Sequence, residues 1–298
     1  MMKATELLGV MLLVLAAGCG PVDEPANPSA EAVRTEVQEL QDDNGLAFNG
    51  LAFNGLAFNG LAFNGLAFNG LSSASFSSWF QAHPAESNQF MKYLVHCSVP
   101  AGQTRTYSNG TSTYVWNGGL GLAPAWSNGS PATLAEQQVV SACLGALANK
   151  YGRTVQISVL GSTAQGQPIP TTSSEMGDFT IREGCFFGNL FNGEGLFVGN
   201  DQGLLPPAQS SLRACALSGG NACPPLTHVG TCHGRCRHDA TGSYFAQCTF
   251  EGVTYQSLTT RLRPQDIYTC GDGICQPSES CGTGNRPDNC RRDCGSCG

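Results

Sequence analysis

Fifteen cysteines in a chain of 298 residues limit what it can fold into more than any other feature. Cys19 stands alone near the N-terminus, and the rest fall into two sets, each even in number. Cys97, Cys143, Cys185, Cys215, Cys223, Cys232, Cys236 and Cys248 form the first, and Cys270, Cys275, Cys281, Cys290, Cys294 and Cys297 the second. Even sets suit disulfides, which persist only in an oxidising compartment. All fourteen are therefore expected to be disulfide-bonded, with the pairing left open. One pair has local support: Cys97 ends one amphipathic stripe and Cys143 lies on the inner face of the next. A Cys–His nucleophile is the alternative. His96 cannot serve Cys97, because neighbours on a helix point about 100° apart.

The odd cysteine follows an uncharged apolar run, Leu7 to Ala17, with Lys3 before it. Charged tip, apolar middle and small residues at the cut are the layout of a secretory signal. The run is shorter than the ~20 residues that span a bilayer. Leu15-Ala16-Ala17-Gly18-Cys19 resembles the lipobox of bacterial lipoproteins, whose thiol is acylated and becomes the first residue after cleavage. The resemblance implies a signal peptide at 1–18, lipidation of Cys19 and attachment to a membrane through that lipid. Ala16 departs from the Leu or Val more usual there, and Glu6 weakens the basic tip.

From Gly45 to Asn69 the pentamer Gly-Leu-Ala-Phe-Asn occurs five times without substitution. A period of five fits neither strand nor helix, and each Asn-Gly is a turn signal. A pentapeptide solenoid would gain little more than one coil from five pentamers, whereas repeat stacks need about three units or more. Residues 19–71 are therefore expected to form a flexible tether. Its Leu and Phe content suits condensation on an envelope polymer, on a protein partner or with copies of itself.

Residues 72–268 read as a disulfide-bonded α+β domain. Phe76, Trp79 and Phe80 mark a helix ended by His83-Pro84, and Phe90, Met91, Leu94 and Val95 a second. Thr104–Ser108 and Thr111–Trp116 predict a hairpin turning at Asn109-Gly110. Thr133 with Glu136 predicts a capping box, opening a helix of about four turns that stops at Gly152. Val155, Ile157 and Val159 alternate as a strand. Phe179 with Ile181, and Leu196 to Val198, predict two more. Leu212–Leu217 is expected to be helical. No βαβ rhythm links these elements, which favours α+β.

The chemistry-bearing residues are few. Net charge is −7, against nucleic acid as a partner, since phosphate backbones demand a basic stripe. Glu175, Asp178 and Glu183 beside the Gly/Phe-rich segment 184–199 are the candidate catalytic acids, because paired carboxylates serve glycoside hydrolysis. The alternative is that all three are solvated. Cys232, His233, Cys236 and His238, with His228, have the composition of a zinc site, but Cys-x₃-Cys spacing and an oxidising compartment favour disulfides. No nucleophile elbow, zincin motif or phosphate loop is present.

Residues 269–298 carry six cysteines in too short a span to build an apolar core, so disulfides replace one. Cys270-Gly271-Asp272-Gly273-Ile274-Cys275, Glu279-Ser280-Cys281 and Asp293-Cys294 resemble short cysteine-rich modules on secreted bacterial proteins, many of them myxobacterial. With the lipobox and the repeats, the chain resembles surface lipoproteins of the myxobacterial type. That resemblance implies an envelope location and specifies no activity. Asp272, Glu279, Asp288 and Asp293 are candidate oxygen ligands for a structural Ca²⁺, and no other cofactor is expected. The role expected is binding or structural. The alternative is a secreted hydrolase of polysaccharide or peptide working through the acids near Glu183.

Overall fold

A computed structural model describes residues 41–44, 71–151, 153–213, 216–218, 226–283 and 289–297. Cys19, the pentamers, Gly152, Cys215, Cys223 and Asp288 lie outside the described residues. The elements, in chain order, are β1 (Gln41–Asn44), α1 (Ala74–Ala82), α2 (Pro84–Ser98), β2 (Thr104–Ser108), β3 (Thr113–Asn117), α3 (Pro124–Ser127), α4 (Leu134–Ala146), β4 (Val155–Leu160) and α5 (Ser173–Asp178). After these come β5 (Ile181–Asn189), β6 (Gly195–Asn200), β7 (Gln209–Ser211), β8 (Leu226–Thr231), β9 (Cys236–His238), β10 (Phe245–Phe250), β11 (Val253–Leu262), β12 (Ile267–Thr269) and α6 (Arg291–Cys294).

The main sheet runs β1-β4-β11-β5-β6-β8, with β10 on β11 and β9 on β10. All its pairings are antiparallel except β6 with β8. β11 is its axis: Val253–Gln256 pairs with β10, and Thr259–Arg261 runs between β4 and β5. This is the α+β architecture that the sequence predicts. β1 pairs with β4, so the sheet begins within residues 19–71, upstream of the pentamers, and Leu71 is buried in the core. The expected 19–71 tether is therefore not wholly separate from the domain.

Strand alternation sends neighbouring residues to opposite faces, and both faces of this sheet are covered. Phe186, Leu196, Val198, Leu258 and Leu262 face the main core with Val139, Val140, Cys143, Leu144 and Leu147 of the α4 segment. Cys185, Phe187, Phe197 and Tyr255 point the other way, into a smaller cluster with Cys232, Phe245 and Cys248. Gly188 (φ +132°) permits the close β5–β6 approach, since a Cβ there would run into the carbonyl oxygen of Gly195.

α4 begins at the expected capping box: Glu136 N–H donates to Thr133 Oγ1 (3.2 Å) and Thr133 N–H to Glu136 Oε2 (3.0 Å). The helix ends at Ala146, with Leu147 as C-cap, well before Gly152. Gln138, Ser141, Ala142 and Gly145 are buried along with its apolar stripe, so it is enclosed on more sides than amphipathicity suggests. Glu136 is itself buried, because its Oε1 accepts from the Ala125 and Trp126 amides (2.8 and 3.2 Å).

The β2–β3 hairpin closes through four residues rather than two. Asn109 Oδ1 accepts from the amides of Thr111 and Ser112 (3.0 and 2.7 Å), which draws them out of the strand. Phe179 caps α5 rather than opening β5. Leu212 and Arg213 follow β7 in non-helical conformation, so the predicted helix over 212–217 is not seen among the described residues. Among them, no helix is long and apolar enough to cross a membrane.

Six disulfides are described, each within one of the two cysteine sets. Cys97–Cys143 joins α2 to α4, Cys185–Cys232 joins β5 to the turn after β8, and Cys236–Cys248 joins β9 to β10. In the C-terminal module Cys270–Cys290, Cys275–Cys294 and Cys281–Cys297 interleave, first with fourth, second with fifth, third with sixth. These bonds place the folded chain in an oxidising, extracytoplasmic environment. The module is docked. β12 crosses the expected 268/269 boundary to pair with β7, Cys270 N–H donates to Ala208 O (2.9 Å), and the Ser210 and Ser278 hydroxyls lie 2.9 Å apart.

Candidate metal centre

The three acids proposed from sequence do not form a pair. Glu175 is the N3 residue of a second capping box, exchanging bonds with Thr172 (3.1 and 3.3 Å), and its Oε1 accepts from Ser158 Oγ (2.7 Å). Glu183 is the extra residue of a β-bulge, since Thr260 pairs with Gly184 while Arg261 pairs with Arg182. A bulge re-aims the side chain, and Glu183 turns inward. Its Oε1 accepts from Arg213 Nε (2.7 Å) and its Oε2 from Thr260 Oγ1 (2.6 Å). Arg213 and Glu183 are each 1 % exposed. The guanidinium also donates to Ala146 O at the C-terminus of α4, where a cation suits the helix dipole. In the β4–β11 register Ser158 lies opposite Arg261, and Val159 opposite Thr260. Glu175 and Glu183 therefore reach the sheet from opposite faces, while Asp178 is exposed at the end of α5. Nor are all three solvated, because two are buried braces.

The Cys/His-rich stretch offers zinc no thiolate. Cys232 bonds to Cys185 and Cys236 to Cys248. His228 Nε2 lies 3.0 Å from Ala216 O. His238 stacks on Phe245 with centroids 4.1 Å apart, and His233 Nε2 is 3.6 Å from Asp201 Oδ1, an oxygen already bonded to Arg182. The order of the loop after β9 comes from Asp239. Burial alone would raise this acid. Bonds from the Thr241 hydroxyl and amide, and from the Tyr244 and Ser243 amides, outweigh that and hold it at about 2.

The C-terminal module is different, because there the buried oxygens left over belong to an acid and to the amide residue bonded to it. Asp293 accepts from the amides of Gly271 (2.5 Å) and Gly273 (2.9 Å), and Asp272 Oδ1 from the amide of Ile274 (2.9 Å). Gln276 sits between two acids. Its Nε2 donates to Asp272 Oδ2 (2.7 Å) and its backbone N–H to Glu279 Oε2 (3.1 Å). Among the described residues, Gln276 Oε1 and Glu279 Oε1 have no partner, although these side chains belong to residues only 7 % and 8 % exposed. A buried acceptor left unpaired costs about 1–3 kcal/mol.

Oxygens of Glu279 and Asp293 and the sulfurs of Cys270 and Cys290 all lie within 4.8 Å of one another. Burial pushes the Glu279 carboxyl above the usual carboxylate range. The amide of Gln276 opposes the shift, and the charges of Asp293 and Asp272 add to it. The amide of Gly271 leads the bonds that hold Asp293 below that range. Among the described residues, no lysine or arginine forms an ion pair with Asp272, Glu279 or Asp293. Because the sulfurs are joined to each other, the donors on offer are hard oxygens, which suit Ca²⁺ better than zinc. The sequence marks the acids but not Gln276, whose amide type is common on surfaces.

Fold and site define a disulfide-fastened α+β protein with a docked, acid-lined cystine module. Comparison with protein-family models, with curated proteins and with solved structures found no match.

Proposed function

We propose that the protein is a lipid-anchored component of the cell envelope, at the outer membrane or cell surface, with a binding or structural role rather than a catalytic one. The observation that carries this is the oxidation pattern. Six bonds close within the two even cysteine sets, and the odd cysteine, Cys19, directly follows a secretory-signal layout. Acylation of Cys19 gives that cysteine a use and attaches the chain to a membrane without a spanning helix. The non-catalytic role is supported by Glu175 and Glu183, whose bonds brace opposite faces of one sheet.

Mass spectrometry of the polypeptide isolated from cells tests the proposal. The expected N-terminus is an acylated Cys19, with no titratable thiol elsewhere. An unmodified N-terminus or several free thiols would overturn it. For the role, the purified chain is expected to release nothing from cell-wall or exopolysaccharide substrates. Turnover that disappears in Asp178→Asn would reinstate the hydrolase.

A further inference from the structure

We propose that the C-terminal module binds one Ca²⁺ ion, held by Gln276, Glu279 and Asp293, with Asp272 at the rim. Two observations meet here. Three carboxylates gather in a short span, two of them with oxygens within 4.8 Å of one another or less; the charge of Arg292 acts on Asp293, but no lysine or arginine forms an ion pair with any of the three among the described residues. Independently, two buried oxygens of the module lack partners among the described residues, one on the Glu279 carboxylate and one on the Gln276 amide. Gln276 Nε2 donates to Asp272 Oδ2 and its backbone N–H to Glu279 Oε2, so the residue that carries the unpaired carbonyl oxygen is bonded to both acids. A single cation answers both observations.

The donor set selects the ion. Carboxylate and amide oxygens are hard ligands, and the Cys270–Cys290 bond removes the thiolates that softer metals prefer. Mg²⁺ demands a near-octahedral shell and keeps its waters. Ca²⁺ accepts an irregular shell of mixed carboxylate, amide and water oxygens. The oxygens of Asp293 and Asp272 that accept amide bonds keep a second lone pair for a cation. The ion would also reach beyond the module. Glu279 N–H donates to Gln276 O (2.9 Å), and the turn so formed contains Ser278, which meets Ser210 on β7 and accepts from the Tyr151 hydroxyl through its carbonyl (3.4 Å). Binding therefore stiffens the seam between module and domain that the β7–β12 pairing already forms.

Titration of the full, oxidised, ¹⁵N-labelled chain with CaCl₂ tests this directly. The amides of Gly271, Gly273 and Gln276, which bond to the proposed ligands, are expected to shift together and saturably. The dissociation constant should be on the order of 10⁻⁴–10⁻³ M, as in extracellular calcium modules. MgCl₂ at equal concentration should leave them in place. Glu279→Gln should abolish the shift, Asp272→Asn should weaken binding about tenfold by removing one ligand charge, and Glu86→Gln on α2 should change nothing. No saturable shift in the parent chain, or an unchanged one in Glu279→Gln with its disulfides formed, would overturn the site. If Glu279→Gln does not oxidise correctly, Asp272→Asn decides, and an undiminished affinity there rejects the proposal.

Discussion

Glu183 and Glu279 are both buried acids on one chain, yet they differ in how completely they are bonded. In the sheet, Glu183 gives one oxygen to Arg213 and the other to Thr260. In the module, Glu279 gives one oxygen to the amide of Gln276, and its other oxygen, beside a second acid, has no partner among the described residues. Burial alone therefore does not mark a functional group. A carboxylate with every oxygen engaged by a fixed donor is scaffold, whereas one with an unmatched oxygen next to like charge is where a cation is proposed. The contrast follows from how each region is held. The domain has a continuous apolar core around α4 and β11, within which the Glu183 carboxylate meets two fixed donors. The module has interleaved disulfides in place of a core.

The largest effect is expected on removing a partner of Glu183. Arg213→Ala leaves a buried carboxylate without its cation and takes a donor from the end of α4. It is expected to cost about 3–5 kcal/mol in chemical denaturation. A loss below 1 kcal/mol would mean the acid is not the brace described. Removing the α2–α4 bond in the double variant Cys97→Ala/Cys143→Ala should cost about 3–4 kcal/mol through loop-closure entropy. The domain should nevertheless remain folded by hydrogen exchange, whereas mild reduction should expose the amides of residues 270–297 first. Thr172→Ala, which loosens the Glu175 capping box, should cost about 1 kcal/mol.

The smallest effect expected is at Asp239. Its carboxyl lies at about 2 against an ordinary 3.8, so its contribution is present above the ordinary value and is lost as pH falls through about 2. The Asp239 carbon shift, followed by NMR, should still report an ionised group at pH 3. Titration at the ordinary value would show that the Thr241, Ser243 and Tyr244 bonds do not hold it.

Much of the scaffold was legible because its signals are local. The box of Thr133 and Glu136 spans four residues, and the alternation of Val155, Ile157 and Val159 is visible in five. Cys97–Cys143 could be paired because each cysteine sits on a recognisable helix. Legibility failed where a residue answers to a distant partner. Glu183 turns inward through a bulge set by its register against Thr260, 77 residues away. Arg213 lies where a helix was expected, yet its guanidinium must reach β5 and the end of α4. The fourfold bonding of Glu136 was half visible, since its capping role is local and its hold on Ala125 and Trp126 is not. In the module the acids stood out by charge, but Gln276 carries none, and only burial reveals its unmatched oxygen.

The distinction between brace and site is tested most directly by melting Glu183→Gln and Glu279→Gln beside the parent chain, with calcium and with a chelator. Glu183→Gln is expected to be destabilised equally in both conditions, and Glu279→Gln to lose only the stabilisation calcium gives the parent. Calcium raising the melting temperature of Glu279→Gln as much as that of the parent would contradict it, as would a parent chain indifferent to calcium.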